Sequence, residues 1–243
     1  MRILLGLLIF FGSWLILSMM LSQSLILPTP METFSALVEI LRDSTTYSAM
    51  LSTIAKGFMI LGLIIAVGLP VGFVMGLSDK IYELLRPTVM IIQSVPVISW
   101  LALVIFMWGI GWKGPVLIGF LSLLPISIFT IVEGVRSIDR DLLEMVKVYR
   151  VPKIKVFKYV YIGSLIPFIK AVVDVSVGNV WKTVLVTEFL CGDRGLGVMI
   201  SWARQYVDVP RIYAVTLMAV GLGIGTERIA KKLMSLTTRR WGM

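Results

Sequence analysis

PTVMIIQSVPVISWLALVIFMWGIGWKGPVLIGFLSLLPISIFTIV, residues 87–132, holds one charged residue, Lys113, in 46 positions. A hydrocarbon core about 30 Å thick takes about 20 helical residues, so this run supplies two membrane spans, 87–112 and 114–132. Working outward, the windows 3–22 and 57–78 are also free of charge. Residues 161–190 are long and apolar but hold Lys170, Asp174, Lys182 and Glu188. Residues 212–226 reach span length if Arg211 and Arg228 snorkel at the ends. The chain is 58% hydrophobic and 15% charged, with a mean hydropathy of +0.94. The expected fold is an all-α integral membrane protein of about six transmembrane helices. The first window is read as a retained helix: its apolar run is too long for a signal peptide and ends without a small-residue cleavage site.

Basic residues set the orientation. With the N-terminus inside, the inside segments hold Arg2, Lys80, Arg86, seven basic residues between 136 and 158 and five between 228 and 240, fifteen against five outside. By the positive-inside rule both termini, and the 136–158 segment, are expected in the cytoplasm. The net charge of +9 thus belongs to the ends of membrane helices, and no basic stripe with interleaved aromatics suggests nucleic acid. With no histidine and one cysteine, Cys191, a Ser–His–Asp triad is impossible, and a metal site or internal disulfide is not expected. The sequence has no GxxxxGK[ST] loop, HExxH, CxxC or GxSxG. Energy other than an ion gradient must come from another chain.

Local signals refine the path. Thr33 is expected to cap a short outer helix ending near Arg42, and Pro70 to kink the second span. Gln93, Ser94 and Pro96 interrupt the third span; broken backbone at membrane depth needs protein or a wet cavity to satisfy it, which suggests either a packing kink or the wall of a translocation path. At about 100° per residue, Lys170, Asp174, Trp181 and Glu188 fall within about 40° of one another, and Lys182 about 80° to the other side. Lys170 and Asp174 are expected to form a local ion pair, with Glu188 at the outer interface, whereas mid-span Lys182 is costly unless paired or wet. A turn at Arg194, Gly195 and Gly197 followed by an interfacial helix containing Trp202 is expected outside. Between the fourth and fifth spans, DLLEMVKVY (141–149) has the pattern of a short amphipathic helix, with Leu142, Met145, Val146 and Tyr149 at helical spacing.

From residue 27 onward the chain resembles the permease subunit of ATP-binding-cassette importers, in the branch serving nitrate, taurine, alkanesulfonates and thiamine-precursor pyrimidines. The resemblance rests on LPTP (27–30), GLPVGFVMGLS (68–78), QSVPVISW (93–100), EGVRSIDRDLLEMVKVYRV (133–151), IPF (166–168), TEFL (187–190) and RGLGVMI (194–200). The family's inside loop begins Glu-Ala-Ala with a Gly soon after; here Glu144 is followed by Met145 and Val146, and the Gly position holds Arg150. The resemblance implies a first transmembrane helix (1–26) and a permease domain (27–243) whose coupling segment, about 136–158, docks on a cytoplasmic ATPase through Leu142, Glu144, Met145, Val146, Tyr149 and Arg150. It implies two ATPase subunits that bind ATP and Mg, no cofactor in this chain, a second permease copy in a homodimer, a substrate-binding protein or lipoprotein outside, and membrane lipid around. The chain itself would not be an enzyme. It would lie in a bacterial or archaeal inner membrane. Gln93, Ser94, Pro96, Trp100, Asn179, Trp181 and Lys182 are expected on the translocation path of a small solute, and Arg194, Gly195, Gly197 and Trp202 at the outer gate or docking surface. The alternative is a self-contained secondary transporter or channel, with Lys170, Asp174, Lys182 and Glu188 as an ion relay; it would want inverted repeats, which the sequence lacks.

Overall fold

The computed structural model describes residues 2–21 and 26–238. In chain order the helices are α1 (Arg2–Leu21), α2 (Pro30–Arg42), α3 (Ser44–Leu63), α4 (Leu69–Leu77), α5 (Asp79–Ser94), α6 (Val97–Trp108), α7 (Lys113–Arg136), α8 (Arg140–Val148), α9 (Lys153–Lys155), α10 (Ile162–Cys191), α11 (Leu196–Gln205) and α12 (Val209–Thr238). Two π-helical turns, Ile64–Gly68 and Val156–Tyr161, join α3 to α4 and α9 to α10.

Among the described residues, four continuous helical rods are long and apolar enough to cross a membrane: Ser44–Leu77, Lys113–Arg136, Lys153–Cys191 and Val209–Lys232. The third span expected from sequence is not one rod: α5 and α6 meet at an 89° bend. The cause is local. Val95 is extended, which the following Pro96 favours, and Pro96 has no N–H to continue the ladder. Pro70, expected to kink the second span, instead sits just after the Ile64–Gly68 π turn, and the rod carries on through it. That turn shifts the hydrogen-bond register ahead of the proline. The outer helix α2 is capped by Thr29 rather than Thr33: Thr29 Oγ1 accepts from Glu32 N at 3.2 Å, and Thr29 N donates to Glu32 Oε2 at 2.8 Å. Thr33 is buried within the helix.

The hub is α7. Of its apolar window 61% is buried, against 28% or less for the other three rods. On one side it receives α4 through a ladder of glycines, Gly68, Gly72 and Gly76, spaced four apart. A Cβ on Gly72 would lie 2.7 Å from the Ile128 carbonyl oxygen and 2.8 Å from Ile131 Cβ, and one on Gly76 would lie 2.5 Å from Val135 Cβ. The two backbones therefore touch, the close packing that small residues permit where no hydrophobic force separates helix from lipid. On the other side α7 packs against α3 and α10 around Ile60, Ile131, Val180, Trp181 and Val184. Arg136 at the end of α7 bonds Asp79 at the start of α5 at 2.6 Å and lies over Tyr82. Helix α1 is held by Trp14 Nε1, which donates to Pro28 O at 3.0 Å, and Ser18 Oγ, which donates to Leu27 O at 2.9 Å. Large apolar side chains such as Phe106, 90% exposed, face outward.

Candidate functional site

Helix α8 stands at the end of α7, between two membrane-length rods. Asp139 caps it, its Oδ1 accepting from Asp141 N at 2.9 Å. Leu142, Leu143 and Val146 turn inward with Ile138, Val151 and Val160 and fix the helix to its own base. Of the residues expected on the coupling helix, Leu142 and Val146 thus lie on its inward side, while Glu144, Met145 and Tyr149, together with Val148, face out. Met145 is 48% exposed, Val148 78% and Tyr149 77%, far more apolar surface than a nine-residue helix in water needs to show. Arg150 follows with φ of 48°, a left-handed conformation that favours glycine.

At the opposite end of α10 lies a feature the sequence reading missed. Lys56 on α3 forms a buried ion pair with Glu188: Nζ to Oε1 is 2.9 Å, with the side chains 4% and 0% exposed. Glu188 Oε2 accepts from Thr53 Oγ1 at 2.8 Å and from Gly197 N at 3.0 Å, and Thr53 Oγ1 accepts from Leu196 N at 2.8 Å. Lys56 also donates to the Arg194 carbonyl. The pair thus staples the turn before α11 onto α3 and α10. Gly195, with φ of 133°, and Gly197 pass so close to Glu188 that neither has room for a side chain. Glu188 is therefore in the protein interior, not at an interface. The turn and the helix expected after Arg194 are present; Trp202 is 54% exposed and stacks on Tyr206. Around them Thr45, Met199, Trp202, Tyr206, Asp208 and Arg211 line a cavity of about 460 Å³. Cys191, the last residue of α10, is 1% exposed and its thiol donates to Thr187 O at 3.3 Å.

The mid-span polar residues fall into two places. Lys182 lines a cavity of about 350 Å³ between α10 and α12, with Gly178, Trp181, Thr216, Gly223 and Glu227. Lys182 is exposed and has no ion-pair partner among the described residues. Trp181 is 4% exposed; its ring packs on Gly57 and Phe58, and its Nε1 is buried without an acceptor. Asn179 is exposed on α10, its amide donating to Val175 O at 2.8 Å. Gln93, Ser94 and Pro96 sit at the α5–α6 bend and do not line that cavity; Ser94 Oγ donates to Met90 O and Ile91 O. Trp100 packs with Leu101, Val104, Ile118 and Cys191. The expected Lys170–Asp174 ion pair does not form, and Asp174 Oδ1 is buried without a hydrogen-bond partner. No metal-binding cluster of His, Cys, Asp or Glu occurs among the described residues.

Comparison with known proteins gives a consistent neighbourhood. Residues 64–233 match the family described as "Binding-protein-dependent transport system inner membrane component". A probable ABC transporter permease protein of Brucella melitensis biotype 1 is 29% identical over 222 residues, covering 90% of this chain and 88% of the relative. The taurine transport system permease protein of Escherichia coli strain K12 is 23% identical over 229 residues, covering 90% and 83%. The fold matches a chain of an inward-facing MetNI methionine ABC transporter, with a TM-score of 0.62 at 17% identity over 81% of this chain and 96% of that one.

Proposed function

The chain belongs to the family of binding-protein-dependent transport system inner membrane components, and from that premise we propose how its geometry serves import. It is a membrane-spanning permease subunit of an ATP-binding-cassette importer. The observation that carries the finer reading is α8: a short helix anchored inward by Leu142 and Val146, with Glu144, Met145, Val148 and Tyr149 presented to a partner. In our reading two cytoplasmic ATPases bind ATP and Mg, one beneath each of two permease copies. Their closure moves α8, and α8 moves the rods Lys113–Arg136 and Lys153–Cys191 to which it is joined. This is a rigid-body form of alternating access. The domain division at residues 26 and 27, and both termini in the cytoplasm of a bacterial or archaeal inner membrane, belong to the same reading.

The path runs along the open side of α10. Lys182 and Asn179 face it, and Trp181 offers an unpartnered N–H at its wall. An unpaired mid-span cation is costly in hydrocarbon and much less so in a wet cleft. The cargo we favour is a small solute bearing an anionic group, such as a sulfonate or a nitrate-like anion, with a pyrimidine vitamin precursor as the other class implied by the resemblance. An extracytoplasmic binding protein delivers it to the α11 surface. The self-contained transporter is disfavoured because Glu188, a member of the supposed relay, is fully engaged with Lys56, Thr53 and Gly197.

Affinity purification of the intact chain from its native membrane tests the reading. A co-purifying protein with a P-loop, whose ATP hydrolysis rises when the binding protein and its solute are added, is the expected result. Solute uptake by vesicles containing this chain alone, driven by an ion gradient, would overturn it.

A further inference from the structure

At the base of α8 a cavity of about 670 Å³ opens between α4, α8 and the Val156–Tyr161 turn. Its rim carries Lys147, Arg150 and Lys153, and its floor includes Phe73, Leu77 and Phe157. No acidic side chain lines it, and none of the three cations joins an ion pair among the described residues. A second cavity of about 370 Å³ shares Phe73 and Phe157 with the first and is otherwise lined by Leu69, Ile131, Leu165, Ile169 and other apolar side chains. The Phe73 and Phe157 rings meet edge to face, 5.7 Å apart, where the two cavities adjoin.

The depth of the two cavities differs. Leu77 ends one membrane-length rod and residues 153–161 begin another, so the basic rim lies at the membrane surface. Ile169 stands eight residues further along the second rod than Tyr161, about 12 Å deeper at about 1.5 Å per residue. A soluble protein partner has nothing to place in an apolar slot at that depth, whereas an acyl chain does. An occupant that satisfies both cavities has an anionic head and a hydrocarbon tail. The rim also holds Arg150 in a left-handed conformation at φ of 48°, the kind of local strain that persists where the surroundings use it.

We propose that these paired cavities hold one anionic phospholipid, its phosphate over Lys147, Arg150 and Lys153 and an acyl chain past Phe73 and Phe157 toward Ile169. The proposal rests on the reading above that places α8 at the cytoplasmic surface, where anionic lipids attract basic residues. Because the lipid would lie against the inward side of α8, it would set how firmly that helix is held while its outer face engages the ATPase.

Native mass spectrometry of the intact detergent-purified chain, titrated with phosphatidylglycerol or phosphatidylcholine, tests this. Phosphatidylglycerol should be retained preferentially. The variant Lys147→Gln, Arg150→Gln, Lys153→Gln should hold it on the order of 100-fold less tightly, since each surface cation contributes about fivefold, with the phosphatidylcholine adduct unchanged. Ile169→Trp, which fills the apolar cavity and leaves the charges intact, should also weaken phosphatidylglycerol binding and so separates lost charge from misfolding. Equal retention of the two lipids, or wild-type binding by the triple variant, would overturn the proposal. Complete displacement by inorganic phosphate would overturn it too, by showing a site for a free anion. So would a triple variant that loses the ATPase while keeping its lipid, because the surface would then be the ATPase's. Lipid retention is read on the permease itself, so it stands or falls apart from ATPase co-purification, which tests the import reading.

Discussion

Lys56 and Glu188 lie 132 positions apart in the chain, yet form the most buried ion pair among the described residues. Removing one partner leaves the other charged and sealed, a loss of about 3–5 kcal/mol. Lys56→Met alone and Glu188→Gln alone should each lower the thermal unfolding midpoint of the purified protein, and the double variant should recover part of the loss. Singles that unfold like wild type would show that the pair does not hold the α11 turn. Sequence periodicity placed Glu188 on the same face as Trp181, which is also buried, but its partner sits on another helix and no local pattern could name it. Backbone strain was hidden for a similar reason. Val207 adopts φ of 56° at the end of α11 and is 60% exposed; a β-branched residue there is a genuine outlier. Val207→Gly should stabilise the protein by about 1 kcal/mol, net of the extra freedom glycine has when unfolded, and an unchanged or lower midpoint would count against that strain. Asp43, at the joint of α2 and α3, is held below the ordinary carboxylate range by hydrogen bonds from the Thr45 hydroxyl and the Thr45 N–H. Its contribution is present above the ordinary carboxylate pKa and is lost as pH falls through the lowered value.

Among the elements, the α4–α7 contact admits the sharpest test. Gly72→Leu should prevent accumulation of folded protein because its side chain meets the Ile128 backbone, whereas Gly62→Leu, with nothing near its Cβ position, should be tolerated. Equal expression of the two variants would mean that α4 and α7 are not in contact. The four-residue spacing of those glycines is visible in GLPVGFVMGLS, but the helix they face is not. The α5–α6 break was legible because Pro96 carries its own physics; its 89° angle was not, since it depends on what each half packs against. In α8 the amphipathic pattern gave the helix, while the division into an anchored and a free face came only with residues 138–160 folded beneath it. Tyr149→Ala and Glu144→Lys should leave membrane insertion intact and reduce ATPase association or binding-protein-stimulated hydrolysis. A cysteine at Met145 that never cross-links to the ATPase in any nucleotide state would remove the docking claim.

For the whole molecule, the class followed from composition and charge-free windows, because a bilayer imposes length and apolarity on each span separately; of the six spans expected, the described residues show four continuous rods and the bent α5–α6 pair. How copies pair is a property of no single window. One side of α10 leaves Ala171, Val175, Gly178, Asn179, Lys182 and Val186 exposed in a continuous stripe, which we expect to face its counterpart across the path in a homodimer. Val175→Cys should then be joined to its counterpart by a bifunctional thiol cross-linker long enough to bridge the path, and a chain that stays monomeric with such linkers would place the interface elsewhere. Lys182→Met should lower solute uptake while complex assembly and basal ATP hydrolysis survive; unchanged uptake would remove Lys182 from the path. Such experiments usually begin by stripping a protein of its native thiols. Here that step is superfluous and unwise: the lone Cys191 is enclosed against Gly114 and Val104, out of reach of maleimides and nitroxides. The wild-type chain is in effect already a blank for spin labels and fluorophores, and each cysteine introduced will report from its own position alone.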